Sequence, residues 1–168
     1  MGKNNVILIG MPGAGKSTIG VLLAKALKMP FLDTDLLIQQ REGRYLQEII
    51  NSSGIDNFLR LEEAVVLSLD TNRHVISTGG SVVYSPASME HLKSMGTVFY
   101  LKLKFEKLKK RLRRAETRGI VMKPGQNLFD LFRERTPLYE KYADIVIDCS
   151  HKHIDTIVNE IKSHVLPE

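Results

Sequence analysis

The segment Gly10-Met11-Pro12-Gly13-Ala14-Gly15-Lys16-Ser17-Thr18 follows directly on the apolar run Val6-Ile7-Leu8-Ile9. It is the full G-x-x-x-x-G-K-[ST] pattern in the context that gives the pattern meaning, a buried strand before it and a helical stretch, Thr18 to Leu27, after it. Gly13 and Gly15 can take backbone angles costly to other residues, which lets successive N–H groups turn inward on phosphate oxygens while the following helix offers its positive end. Lys16 then reaches the β- and γ-phosphates and the Ser17 hydroxyl holds Mg²⁺. Gly13, Ala14, Gly15, Lys16, Ser17 and Thr18 are therefore the expected nucleotide-binding set, with ATP and Mg²⁺ as the cofactors.

A strand feeding such a loop implies a parallel sheet covered by helices. Further strand-like runs at Phe31–Leu32, Val75–Ile76, Val98–Leu101 and Ile145–Ile147 alternate with helical patterns, so 168 residues make one α/β domain spanning 1–168. Two segments break the alternation. Residues 37 to 73 are almost wholly helical in pattern, and 113 to 141 contains the Gly- and Pro-interrupted stretch RGIVMKPGQN. In a doubly wound fold such excursions lie over the carboxyl ends of the strands, which makes about 35–62 the expected acceptor-binding region and about 113–125 the expected lid.

The second strand ends in Phe31-Leu32-Asp33-Thr34-Asp35 and the third in Ile76-Ser77-Thr78-Gly79-Gly80-Ser81. Two carboxylates at i and i+2 beside a phosphate loop can divide labour. One of them can order the metal's water shell while the other takes a proton from an attacking hydroxyl. Helix capping by either aspartate is the structural alternative, and both roles can coexist. Gly79 and Gly80 would let backbone approach a ligand closely, where a plain tight turn is the alternative.

Charge and cysteine content limit the remaining classes. The chain carries 24 Lys and Arg against 19 Asp and Glu, and nine of those cations fall between Lys102 and Arg118. Phe105, Leu108, Leu112 and Ala115 form one apolar stripe there, so most of these charges read as a solvated helix face, with the last arginines near nucleotide phosphates. Interleaved aromatics are missing, which argues against nucleic acid as the partner. The single Cys149 reads as a small buried side chain, and His151 with His153 is too sparse for a metal site. The N-terminus passes straight into strand-like residues without a leader pattern, and no apolar run reaches the ~18 residues of a membrane span. A cytoplasmic monomer that acts on small molecules, without membrane or nucleic acid, is the expectation.

The phosphate loop, the D-T-D, Phe58-x-x-x-Glu62, Thr78-Gly79-Gly80, Arg118 and the run RTPLYEKYAD from Arg135 to Asp144 together resemble the shikimate kinase family, in order and spacing, over almost the whole chain. The resemblance implies a five-stranded parallel sheet of order 2-3-1-4-5 flanked by helices, and transfer of the γ-phosphoryl group of ATP to a hydroxyl of shikimate. It implies Asp35 as acceptor-binding carboxylate and proton acceptor, Asp33 as its partner near Mg²⁺, Gly79 and Gly80 as acceptor-binding glycines, and Arg135 as carboxylate-binding. Arg118 is then the lid arginine that meets phosphate and acceptor, and Arg111 the arginine near adenine. Lys16, Asp35 and Arg118 form the catalytic set.

The chain departs from the family pattern twice. Leu59 stands where the pattern has an arginine for the acceptor carboxylate, and Arg60, one residue on, is rotated by roughly 100° about the helix. Ser81 stands where a third glycine is usual. A charge-assisted hydrogen bond to a carboxylate is worth on the order of 1.5–3 kcal/mol, so Leu59 bears on the acceptor's identity. Shikimate, another small hydroxyl compound that packs on Leu59, and a nucleotide-binding regulator without acceptor chemistry are the alternatives at this level. A nucleic-acid-associated ATPase would rest on the basic segment alone.

Overall fold

The computed structural model describes residues 4–114 and 119–166. Five parallel strands form one sheet: β1 (Asn5–Ile9), β2 (Phe31–Asp33), β3 (Val75–Ser77), β4 (Gly96–Lys102) and β5 (Ile145–Asp148), in the order β2-β3-β1-β4-β5. Seven α-helices accompany them among the described residues: α1 (Lys16–Leu27), α2 (Thr34–Glu42), α3 (Leu46–Leu67), α4 (Pro86–Met95), α5 (Phe105–Arg114), α6 (Leu128–Tyr142) and α7 (Ile154–Val165). This is the topology expected from the sequence. No described helix is long and apolar enough to cross a membrane.

β1 lies at the centre and is buried along its whole length, which is why it reads as a continuous apolar run rather than an alternating one. It pairs with β3 from Val6↔Val75 to Leu8↔Ser77 and with β4 from Asn5↔Gly96 to Ile9↔Tyr100. The strands extend past their apolar runs into polar residues such as Asp33, Ser77, Lys102 and Asp148, because backbone pairing continues after the side chains cease to be apolar. A second apolar cluster forms under α2 and α3 around Ile38, Ile49, Phe58 and Val65, and Val121 from the segment after α5 completes it. Gly54, at φ 81° and ψ 167°, bends α3 and separates its first turns from the straight run that carries Phe58 and Glu62.

Asn5 organises the amino-terminal edge of the sheet. Buried at the start of β1, it donates through Nδ2 to the carbonyls of Thr71 (2.6 Å) and Met95 (3.0 Å), and its Oδ1 accepts from the His74 amide (2.9 Å). One side chain thus satisfies backbone groups of the segments that enter β3 and β4. Asn5→Ala orphans all three, and we expect it to lower stability by about 2–4 kcal/mol, read as a shift of the urea unfolding midpoint at unchanged m-value.

Candidate active site

The carboxyl ends of β1, β2 and β3 open into one cavity of about 820 Å³. The sheet order divides its walls, since α5 and α7 follow β4 and β5 on one side of β1 while α2 follows β2 on the other. Arg111, Leu112, Lys152, Ile154 and Ile157 line the first side; Asp35, Gln39, Leu46, Gln47 and Thr78 line the second, with Gly119 and Ile120. The phosphate loop from Pro12 to Thr18 lies between them.

The loop has the conformation its glycines allow. Gly13 and Gly15 sit at φ 83° and 92°, in the left-handed region that a Cβ would strain, and Gly15 caps α1. Ala14 is buried, and its amide donates to the Met11 carbonyl. Lys16 folds back so that Nζ donates to the carbonyls of Gly10 (2.7 Å) and Met11 (2.9 Å), which keeps the ammonium at the loop's centre. Arg111 donates from Nη1 to the Gly13 carbonyl (3.2 Å) and so reaches the loop from α5.

Asp33 makes two sets of contacts at once. Its Oδ1 caps α2 by accepting from the amides of Asp35 (2.9 Å) and Leu36 (3.2 Å), and its Oδ2 accepts from Ser17 Oγ (2.8 Å). A hydroxyl and a carboxylate this close beside the phosphate loop are a hard-oxygen pair. They suit Mg²⁺, which takes one or two protein oxygens and completes its shell with phosphate oxygens and water.

Thr34 ties the end of β2 to the loop after β3. The Gly79 amide donates to Thr34 Oγ1 (3.2 Å), so the D-T-D and T-G-G segments are held edge to edge. A Cβ on Gly79 would lie 2.6 Å from Asp35 Oδ1 and 2.7 Å from Glu62 Oε2, and this close approach, rather than a special backbone angle, is what requires glycine there. Burial, and then the charge of Asp33, raise the Asp35 pKa to about 6 against the pull of Lys16. Its carboxylate is ionised at neutral pH yet more basic than an ordinary aspartate. Glu62 is pushed up further, to about 8, first by burial and then by Asp35.

Arg135 is buried and fixed from three sides. Nη2 donates to the Val121 carbonyl (2.7 Å), Nε donates to the Tyr84 hydroxyl (3.1 Å), and the guanidinium lies 5.1 Å from the Tyr84 ring centroid. Its Nη1 points to Gly80, 3.0 Å from where a Cβ would stand, and Tyr139, one turn on, donates to the Gly80 carbonyl (2.5 Å).

Of the residues read from the sequence, the structure brings Gly13, Ala14, Gly15, Lys16, Ser17, Thr18, Asp33, Asp35, Gly80 and Arg111 to this one cavity, with Gly79 and Arg135 against its wall. Leu59 is half-buried in the α2–α3 apolar cluster with Leu37 and Leu46. Arg118 lies outside the described residues. Ser81 donates to Glu62 Oε1 (2.8 Å), and Cys149 is a buried thiol whose pKa burial lifts to about 11. The sequence did not single out Tyr84, Tyr139 and Val121 as the clamp on Arg135. Only Tyr139 left a sequence signal, its i+4 spacing from Arg135 on α6.

A phosphate loop on the central strand of a 2-3-1-4-5 sheet, facing a carboxylate and a buried guanidinium across one cavity, defines a small-molecule kinase of the P-loop class. Comparison with known proteins narrows it. The family model described as shikimate kinase matches residues 12–166. The shikimate kinase of Histophilus somni is 37% identical over 163 residues, covering 95% of this chain and 93% of that protein, and that of Pasteurella multocida is 38% identical over 163 residues, with 95% and 93% covered. Among solved structures, shikimate kinase from Acinetobacter baumannii in complex with shikimate superposes with a TM-score of 0.87 at 30% identity, over 96% of this chain and 92% of that one. The Aquifex aeolicus enzyme gives 0.78 at 34% identity, over 96% and 95%. The chain belongs to the shikimate kinase family.

The first consequence concerns Lys16. Its ammonium is the one charge that the loop itself directs to its centre, and Lys16→Ala is expected to lower phosphoryl transfer by about a hundred- to a thousand-fold in a folded protein. Steady-state turnover with circular dichroism alongside checks it.

Proposed function

We propose that this chain transfers the γ-phosphoryl group of ATP to a hydroxyl of shikimate, with Asp35 as proton acceptor. The observation that carries the reading is the position of Asp35. Its half-buried, ionised carboxylate lies in the same cavity as Lys16 and the phosphate loop, and its pKa, raised to about 6, makes it basic enough to receive a hydroxyl proton. As the acceptor oxygen bonds to the γ-phosphorus, the bond to the β,γ-bridging oxygen breaks. The hydroxyl proton passes to Asp35 and the ADP oxygen keeps the bonding electrons. Lys16 and the inward loop amides stabilise charge on the transferring oxygens, which is the main task in a reaction of this type.

Ser17 and Asp33 would hold Mg²⁺, which supplies charge neutralisation for the β- and γ-phosphate oxygens. Arg111, with Lys152 and Ile154, forms the wall for the nucleoside. Arg135, held by Tyr84 and Val121, would take the acceptor's carboxylate near Gly80, since a guanidinium fits a carboxylate with two parallel donors. Arg118 would close on phosphate and acceptor from the lid. Family membership and the fold shared with the shikimate-bound Acinetobacter baumannii enzyme support shikimate as the acceptor.

Asp35→Asn keeps the size of the side chain and removes its basicity. Turnover is expected to fall about a hundred-fold or more while ATP affinity is retained. Collapse of ATP binding with acceptor turnover intact would instead put Asp35 in the nucleotide site.

Leu59 provides the test of the acceptor. Leu59→Arg puts a guanidinium beside the α2–α3 apolar cluster. Turned to the acceptor's carboxylate alongside Arg118 and Arg135, it should lower the KM for shikimate by up to about ten-fold, the equivalent of ~1.4 kcal/mol, with urea unfolding alongside to read what the charge costs the cluster. Kinetics of both proteins on shikimate, beside a panel of hydroxy acids, sugars and amino alcohols, decide it. Activity on another compound, none on shikimate, and damage by the arginine would move the acceptor while leaving the kinase in place.

A further inference from the structure

Glu62 is the only carboxylate among the fully buried polar side chains of the described residues, and the transfer chemistry above makes no use of it. Its two oxygens are treated differently. Oε1 accepts from Ser81 Oγ at 2.8 Å, whereas Oε2 is buried without a hydrogen-bond partner. Oε2 faces the notch that Gly79 leaves open, 2.7 Å from where a Cβ would be, and Asp35 Oδ1 faces the same notch at 2.6 Å.

The surroundings oppose a second negative charge in this place. Asp35 faces Glu62 from α2, Ser81 from the loop after β3, Arg135 from α6 and Lys16 from α1. The pull of the two cations on Glu62 is weaker than the combined effect of burial and Asp35, so its pKa rises to about 8. On its own helix, the side chain one turn back is Leu59, which brings no charge. An ionised carboxylate with one oxygen buried and undonated is costly, and a proton on that oxygen turns an unmet acceptor into a donor. Because Ser81 already donates to Oε1, Oε2 is the oxygen left to carry the proton.

We propose that Glu62 acts as a neutral carboxylic acid that positions Asp35. Oε1 is held by Ser81, and Oε2 carries a proton directed across the Gly79 notch, so that the Asp35 carboxylate keeps one orientation towards the transfer point. Glu62 is a positioning residue rather than a catalytic one, since it lies behind Gly79 and does not line the cavity. The role rests on Asp35 being the proton acceptor of the kinase reaction. It also gives Ser81 a purpose: its hydroxyl decides which Glu62 oxygen is protonated.

Infrared spectroscopy and kinetics of the full chain test it. Wild-type protein at pH 7, without substrates, should show a carboxylic-acid C=O band that is missing in Glu62→Gln and fades as the pH is raised through about 8. Glu62→Ala should lower kcat by about a hundred-fold, the scale of a misplaced catalytic group, with a smaller effect on ATP affinity. Glu62→Gln, which can still accept from Ser81 and donate an N–H across the notch, should recover about ten-fold of that loss. A wild-type spectrum at pH 7 without the band overturns the proposal, as does a glutamine variant as slow as the alanine one. The band requires no acceptor, so a failure of shikimate as substrate leaves this test readable, and it needs no variant that might misfold beyond the isosteric glutamine.

Discussion

The Leu8 carbonyl, near the end of the central strand, accepts two hydrogen bonds from Thr78, one from its amide at 3.2 Å and one from its hydroxyl at 2.8 Å. This junction continues the pairing of β1 with β3 into the loops that line the cavity. Two residues past Leu8 the chain turns into the phosphate loop, and one residue past Thr78 it reaches Gly79, whose amide is bound to Thr34 beside Asp35. The phosphate loop and the Asp35 carboxylate are therefore tied to the same backbone oxygen. A hydroxyl group that must meet a phosphorus atom in line within a few tenths of an ångström profits from so short a mechanical path.

Around that junction the charges are arranged by solvent exclusion more than by pairing. The ion pairs found among the described residues, such as Lys93 with Asp144 and Lys102 with Glu140, lie on half-exposed surface and contribute little. The wall formed by the D-T-D and T-G-G segments instead sets two carboxylates, Asp35 and Glu62, against a buried guanidinium that is already engaged by a carbonyl and a tyrosine hydroxyl. Such a site holds its groups by hydrogen bonds of fixed direction, which leaves their protonation states to burial.

Much of this was legible in the sequence where the signal is local. Backbone requirements write themselves into residue type, so Gly13, Gly15 and the apolar run before them located the loop, and the alternation of strand and helix located the sheet. Asp33 was readable as a helix cap because that role depends on neighbours within three residues. The strand ends at Ser77, Lys102 and Asp148 were not, since pairing there is between backbones and leaves no side-chain pattern. Glu62 was visible only as a spacing from Phe58. That one of its oxygens meets Ser81 and the other meets nothing is a property of two segments 19 residues apart being folded together. The clamp of Tyr84 and Val121 on Arg135 is likewise tertiary, drawn from residues 51 and 14 positions away.

Asn5 gives the sheet a directional character. At the edge where the strands begin, one amide side chain ties together the entries to three of them; at the edge where they end, glycines, a half-buried aspartate and a threonine junction face the cavity. The edge remote from the cavity serves as a support tied by one side chain, and the backbone left to meet a ligand is that of the opposite edge.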